Sequence, residues 1–352
     1  FINKRIKFIM AYTTINKPSD YFNTKLYTGN GGTNAITGVG FQPDWLWLKK
    51  RNSSANHFLF DAVRGASKEL NSNNNEAEAS PANYLSSFNS DGFTIGSDSD
   101  INGNSDTFAS WNWKANGAGS ANTDGATAST VSANTTSGFS IVKYTGTGSQ
   151  TTIGHGLGIT PKMIIVKRLQ NAEDFAVYHA SNGAGTYQSL NTTEAKQTNA
   201  NRFNVAPTSS VFTVNTHESV NFAENYIAYC FAEKQGFSKF SSYTGNGNAD
   251  GTFIYTGFKP AFVMVKDSTS AGYNWLMYDN KRLGYNPDNK YLVANENYAE
   301  AGSTSDNAVD LLSNGFKFRT ADQNSNRTNT YIYMAFAEAP LVGSNNTPCT
   351  AR

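Results

Sequence analysis

Three runs of the chain are apolar at nearly every position: "DWLWLKK" (44–50), "KMIIVKR" (162–168) and "AFVMVKD" (261–267), each entered through a proline, Pro43, Pro161 or Pro260. Side chains of a strand point alternately to opposite faces, so a run without polar alternation predicts a central strand covered on both sides. Other segments alternate instead. "DGFTIGS", "VFTVNT" and "NGFKFRT" read apolar–polar as half-buried strands do. "KLYTG", "IVKYTG" and "KFSSYTG" are strands running into a tight turn, where Asn30-Gly31 and Asn246-Gly247 supply positive φ angles. "HFLFDAVRG", "DFAVYHAS" and "YNWLMYDNKRLG" give a further strand and its turn, and "FASWNWKA", "YIAYCFAE" and "YIYMAFAE" a dense aromatic strand. No segment sustains a helical period.

Each pattern occurs three times, in the same order. Tyr27, Tyr144 and Tyr243 head the Y-T-G units with steps of 117 and 99 residues, and the three prolines step by 118 and 99. Trp113, Phe231 and Phe336 align in the aromatic strands. A repeat of about 100 residues is the size of a β-sandwich, well above a solenoid rung. The expectation is an all-β chain of three tandem antiparallel β-sandwich (jelly-roll-like) repeats, 10–115, 116–236 and 237–341, each burying its own core and together forming an elongated rod. Residues 116–130 are a linker or the first strand of the second repeat, with "AYTTINKPSDYFNTKLYTG" as the counterpart before the first. Residues 342–352 are a C-terminal tail. Translation is expected to begin at Met10, with 1–9 an upstream extension or a basic arm.

Composition narrows the function classes. Charged residues make up 16% of the 352, and the formal net charge is +1. That balance carries no electrostatic footprint for nucleic acid or an anionic membrane, and no apolar run reaches the length of a membrane span. The two cysteines, Cys230 and Cys349, form no metal or redox motif.

Candidate chemistry is sparse. In "DSDINGNSD" the residues Asp98, Asp100, Asn102 and Asp106 place alternate oxygens as the front half of a calcium loop does, but the twelfth position, where a bidentate Glu belongs, is Ala109. A plain hairpin loop is the competing reading, since the equivalent turns of the other copies lack the acidic spacing, and no cofactor is expected. Asp61 with Arg64 recurs as Asp279 with Arg282; an Asp and an Arg three apart beside a turn predict an exposed turn-stabilising pair, contributing at most about 1 kcal/mol. The four histidines sit at unrelated positions, and no nucleophile elbow, phosphate loop or dinucleotide fingerprint is present. No catalytic residue is assigned. Trp45, Trp47, Trp111 and Trp113 align with Met, Ile, Phe or Tyr in other copies, which marks core positions rather than ligand platforms. Ligand contact is expected in the loops that differ between copies, 71–84, 181–202 and 284–306, with Tyr291 and Tyr298 as candidates.

"YTGNG…ITGVGFQPDWLWLKKR…FDAVRGASKEL…LSSFNSDGFTIGSDSDINGNSDTFASWNWKA" resembles an uncharacterised repeat domain of marine bacteriophage virion structural proteins. "NTDGATASTVSANTTSGFSIVKYTGTGSQTTIGHGLGITPKMIIVK" and the ending "AFAEAPLVGSNNTPCTAR" are similar to the same group, so the resemblance covers residues 10–352. It implies a non-enzymatic virion protein, a tail fibre or appendage component. The implied partners are itself as a homo-oligomer, other virion proteins, and a host surface glycan or outer-membrane receptor. A capsid decoration without receptor contact and a bacterial carbohydrate-binding adhesin are the alternatives.

Overall fold

The computed structural model describes residues 11–282, 286–287, 290–302, 307–343, 345 and 347–348. Nearly every element in them is a strand; the exceptions are the short turns of helix Pro18–Asp20 and Ser99–Asn102. All named strand pairs are antiparallel.

Each copy pairs a main sheet with a small outer sheet. In the first copy the main sheet runs Phe22–Thr28, Thr107–Trp113, Trp45–Lys50, His57–Asp61, Leu70–Asn71, and the outer sheet Asn34–Thr37, Gly92–Ile95, Leu85–Asn89. The second copy repeats this order with Phe139–Thr145, Asn225–Phe231, Met163–Arg168, Ala176–His179 and Thr186–Ser189, over Thr151–Gly154 and Val211–Val214. The third uses Ser238–Thr244, Thr330–Pro340, Phe258–Asp267, Leu276–Asp279 and Lys290–Val293, over Phe253–Tyr255, Gly315–Phe318 and Val309–Leu312. The aromatic strand and the all-apolar strand are neighbours at the middle of each main sheet, as their composition requires.

Residues 116–130 are not a bare linker. Ser120–Asn122 and Ser129–Asn134 are strands that extend the second copy's main sheet at one edge. The matching stretch before the first copy forms no such strand and contains the Pro18–Asp20 turn instead, where proline fixes φ at the first helical position.

The central strands explain the assembly. Leu46 and Leu48, on one face of Trp45–Lys50, pack with Ile36, Phe93 and Ile95 of the copy's own outer sheet. Trp45 and Trp47, on the other face, enter a cluster common to all three copies, with Met163, Ile165, Tyr229 and Phe231 from the second and Phe262, Met264, Met334 and Phe336 from the third. The second and third copies likewise keep outer cores of their own. The expectation of three self-contained cores along a rod is therefore corrected. A sheet apolar on both faces cannot leave one in water, and each main sheet covers its inner face with the other two copies. Trp45 stacks on Tyr229 with ring centroids 4.5 Å apart, Trp113 meets Phe336 at 5.7 Å, and Phe231 meets Phe336 at 6.1 Å. The result is one body with three similar sandwiches around a shared aromatic centre.

Candidate functional site

The recurring Y-T-G unit is a backbone clasp. The Tyr27 hydroxyl donates to the Ile101 carbonyl at 2.7 Å, Tyr144 to Val220 at 2.6 Å, and Tyr243 to Ser325 at 2.6 Å. The residue after each of those carbonyls is a buried asparagine whose Oδ1 accepts from the turn backbone: Asn102 from Asn30 N, Asn221 from Thr147 N, Asn326 from Asn246 N. The glycine lets the two backbones meet. A Cβ on Gly29, Gly146 or Gly245 would lie 2.2, 2.1 or 2.1 Å from the carbonyl oxygen of Gly103, Phe222 or Arg327.

That clasp, with the ion pairs beside it, accounts for the proposed calcium ligands. Asn102 also donates to Gly32 O and Gly96 O, so its carboxamide is fully engaged inside the fold. Asp98 caps the one-turn helix by accepting from Asp100 N at 2.8 Å. Asp106 turns to Lys50, 2.6 Å away, and accepts from Asn52. The oxygens of Asp98, Asn102 and Asp106 thus serve three separate purposes inside the fold. Among the described residues no group of three or more His, Cys, Asp or Glu side chains is placed to hold a metal ion.

The Lys50–Asp106 pair recurs as Arg168–Glu224 at 2.6 Å, where hydrogen bonds from Arg168 and Asn171 hold the glutamate carboxyl down to about 2. In the third copy the basic member is replaced by Asp267, and the acidic member is Asn329, which donates to it at 2.7 Å. The two positions change together: a carboxylate opposite Asp267 would repel it, and the Asn329 amide donates to it instead.

The seams between copies hold the buried chemistry. Arg64 and Asp61 pair at 2.5 Å with side chains at most 1% exposed, and the Tyr229 hydroxyl of the second copy donates to Asp61 at 2.9 Å. Arg282 and Asp279 pair at 2.6 Å, and the Trp111 indole of the first copy donates to Asp279 at 3.0 Å. These pairs were expected at the surface; they are corrected to desolvated joints, because the turn bearing them faces the next copy rather than water. In the second copy His179 occupies the aspartate's position, and its Nε2 meets the Tyr333 carbonyl of the third copy at 3.2 Å. The residue matching Tyr229 and Trp111 is there Met334, which has no proton to donate. Acceptor and donor occur together or not at all. The linkage is cyclic: first to second, second to third, third to first.

A second cyclic set uses lysine. Lys49, Lys167 and Lys266 are fully buried at matching positions. Each ammonium donates to a carbonyl of its own copy and to one from the preceding copy's long loop: Asn297 at 3.4 Å, Asn75 at 3.1 Å and Thr193 at 3.3 Å. Burial pushes all three down to about 8. The sequence showed a lysine in each apolar run and an asparagine in each polar turn, and those threefold coincidences were the available signals for the lysine set and for the clasp.

The loops expected to bind ligand are thus partly seam elements. Loop 71–84 carries Asn75 and Glu78 onto the second copy, and loop 181–202 carries Thr193 and Lys196 onto the third. Loop 284–306 lies partly outside the described residues. Within it, Tyr291 is on a strand, half-buried and 6.4 Å from the Tyr278 ring, which removes it from the loop surface. Tyr298 is 56% exposed. Cys230 is a buried core thiol, pushed up by burial, and Cys349 lies outside the described residues.

These features define a single all-β body, built of three sandwiches locked by desolvated joints. The chain matches the profile described as Domain of unknown function (DUF7483) over residues 17–340 and belongs to that family. The match spans all three copies. No curated protein matches it.

Proposed function

We propose that the chain is a non-enzymatic structural protein of a bacteriophage particle, an appendage component that contacts the host surface and assembles with itself and other virion proteins. The observation that carries the reading is the commitment of the buried polar groups. Asp61, Arg64, Asp279, Arg282 and the three lysines join copies to one another, as suits a body selected to stay folded outside a cell. Its large exposed aromatic residues are spread unevenly, Phe222 on the second copy and Phe253, Tyr255 and Tyr298 on the third, so contact chemistry differs from copy to copy. The resemblance of the Y-T-G and aromatic-strand motifs to virion proteins adds the particle context.

The threefold arrangement supports a second reading, a capsid decoration without receptor contact, because three similar faces suit a three-fold position of a shell. Immunogold labelling of intact particles tests both. Label at the tail or its fibres supports the first, label over the capsid the second, and unlabelled particles with detectable free protein overturn both.

A further inference from the structure

The three copies are controls for one another. In the outer sheets Ile254, Ile36 and Ile153 are equivalent, since each lies opposite a phenylalanine, Phe316, Phe93 or Phe212. On either side of Ile254 the third copy has Phe253 and Tyr255, 43% and 53% exposed. The first copy has Ala35 and Thr37 there, and the second Thr152 and Gly154. Small residues therefore satisfy the fold at both positions, and the aromatics answer to something else.

Phe253 and Tyr255 are two apart on an edge strand, so their side chains leave the same face about 6.5–7 Å apart. Polar groups flank them. Opposite Phe253 is Lys317, whose ammonium is 2.7 Å from the Asp250 carboxylate, itself 78% exposed. At the other end the Tyr12 and Tyr255 hydroxyls converge over Gly257, where a Cβ would lie 2.6 and 3.5 Å from them. The Tyr12 hydroxyl donates to Gly257 O at 2.8 Å.

Size decides between occupants. Two aromatic side chains, each about half exposed, offer roughly 150–250 Å², against about 800 Å² per partner in a stable protein interface. A ligand with apolar C–H faces and hydroxyls at its rim fits that area and that mixture. We propose that Phe253 and Tyr255 form a stacking platform for a saccharide, with Asp250, Lys317 and the tyrosine hydroxyls at its polar rim. The assignment rests on the host-contact reading and gives that contact a chemical class and a place.

The test is affinity electrophoresis of the full chain in native gels containing dextran, a β-1,3-glucan, alginate or an agarose-type galactan. At least one polysaccharide should retard the protein. The double variant Phe253→Thr/Tyr255→Thr, which installs a residue type the other copies carry there, should weaken that retardation roughly tenfold or more with melting unchanged. Phe222→Ala, on another face, should leave retardation intact. The platform is overturned if no polysaccharide retards the protein, or if the double variant is retarded like the wild type. It is also overturned if sedimentation shows a wild-type dimer that the double variant dissociates, since the rings would then cover each other. Particle labelling is independent of these outcomes, so labelled particles with no retardation reject the platform and leave the virion role standing.

Discussion

The indole N–H of Trp111 donates to the carboxylate of Asp279 at 3.0 Å across 168 residues of chain, closing the ring of contacts between the third copy and the first. Trp111→Phe keeps most of the ring and removes the donor. It should cost about 1–3 kcal/mol in urea unfolding, the penalty for a buried acceptor losing a partner. Asp279→Ala takes from buried Arg282 its 2.6 Å carboxylate partner, leaves it the longer 3.4 Å contact to Glu300, and should cost about 3–5 kcal/mol. Equal losses for the two variants would mean that the joint contributes only by packing.

Residues 237–341 expressed alone should not fold as a monomer. Phe262, Met264 and Phe336 are buried mainly against the other copies, and the fragment would present them to water. Circular dichroism should show no cooperative melt at low concentration. A sharp monomeric transition would show that the outer core suffices.

Gly146→Ala should destabilise the second copy's clasp, because the added methyl would lie 2.1 Å from the Phe222 carbonyl oxygen. Backbone on both sides must shift, and a loss above about 2 kcal/mol is expected. Gly148→Ala is the comparison. Its Cβ would meet no atom within 4 Å, but its φ is +73°, so only the smaller left-handed penalty of about 1–2 kcal/mol applies.

Stability should rise with pH above about 8. Lys49, Lys167 and Lys266 sit near 8 when folded and at 10.5 when free, so between those values the unfolded chain binds more protons and alkali favours the folded state. Each lysine should contribute about 1–2 kcal/mol between pH 7.5 and 9.5. Lys167→Met should remove one such share from the pH dependence of urea unfolding. The gain should reverse above pH 10, where buried tyrosines such as Tyr226, raised to about 12 chiefly by burial, resist ionisation. A flat profile from 7.5 to 9.5 would contradict this assignment.

On the acid side His179 is the sensor of the seam between the second and third copies. Burial holds it down to about 4, against 6.5 when free. Its contribution is complete above 6.5 and is lost as pH falls through 4. His179→Gln should flatten the stability profile in that window by about one proton, while Glu224, held near 2, acts at lower pH. An unchanged slope would place the acid sensitivity elsewhere.

Periodicity made much of this molecule legible. Strand types, their order, the threefold repeat and the core placement of Trp45, Trp47, Trp111 and Trp113 all follow from which faces are apolar. These are local facts, set by a side-chain period of two and by turn chemistry. The Asp61–Arg64 and Asp279–Arg282 pairs were visible as residues, but their burial was not, since three residues of spacing say nothing of what lies beyond the turn. Asp106 looked like half of a metal loop because its partner, Lys50, is distant in sequence. Likewise the exposure of Phe253 and Tyr255 follows from their place on a sheet edge, which composition does not encode.

The residue pattern alone requires that three sheets each carry two apolar faces. Where the second face goes is a matter of how the copies pack. A strand such as Trp45–Lys50 states that both sides must leave water, and any apolar surface of fitting shape satisfies that demand. The choice of the other two copies as the cover rests on non-local complementarity: Trp45 against Tyr229, Trp111 to Asp279, Tyr229 to Asp61. Hydrophobic burial is non-directional and supplies the drive, whereas these directional hydrogen bonds between residues far apart in the chain select one arrangement around a common centre.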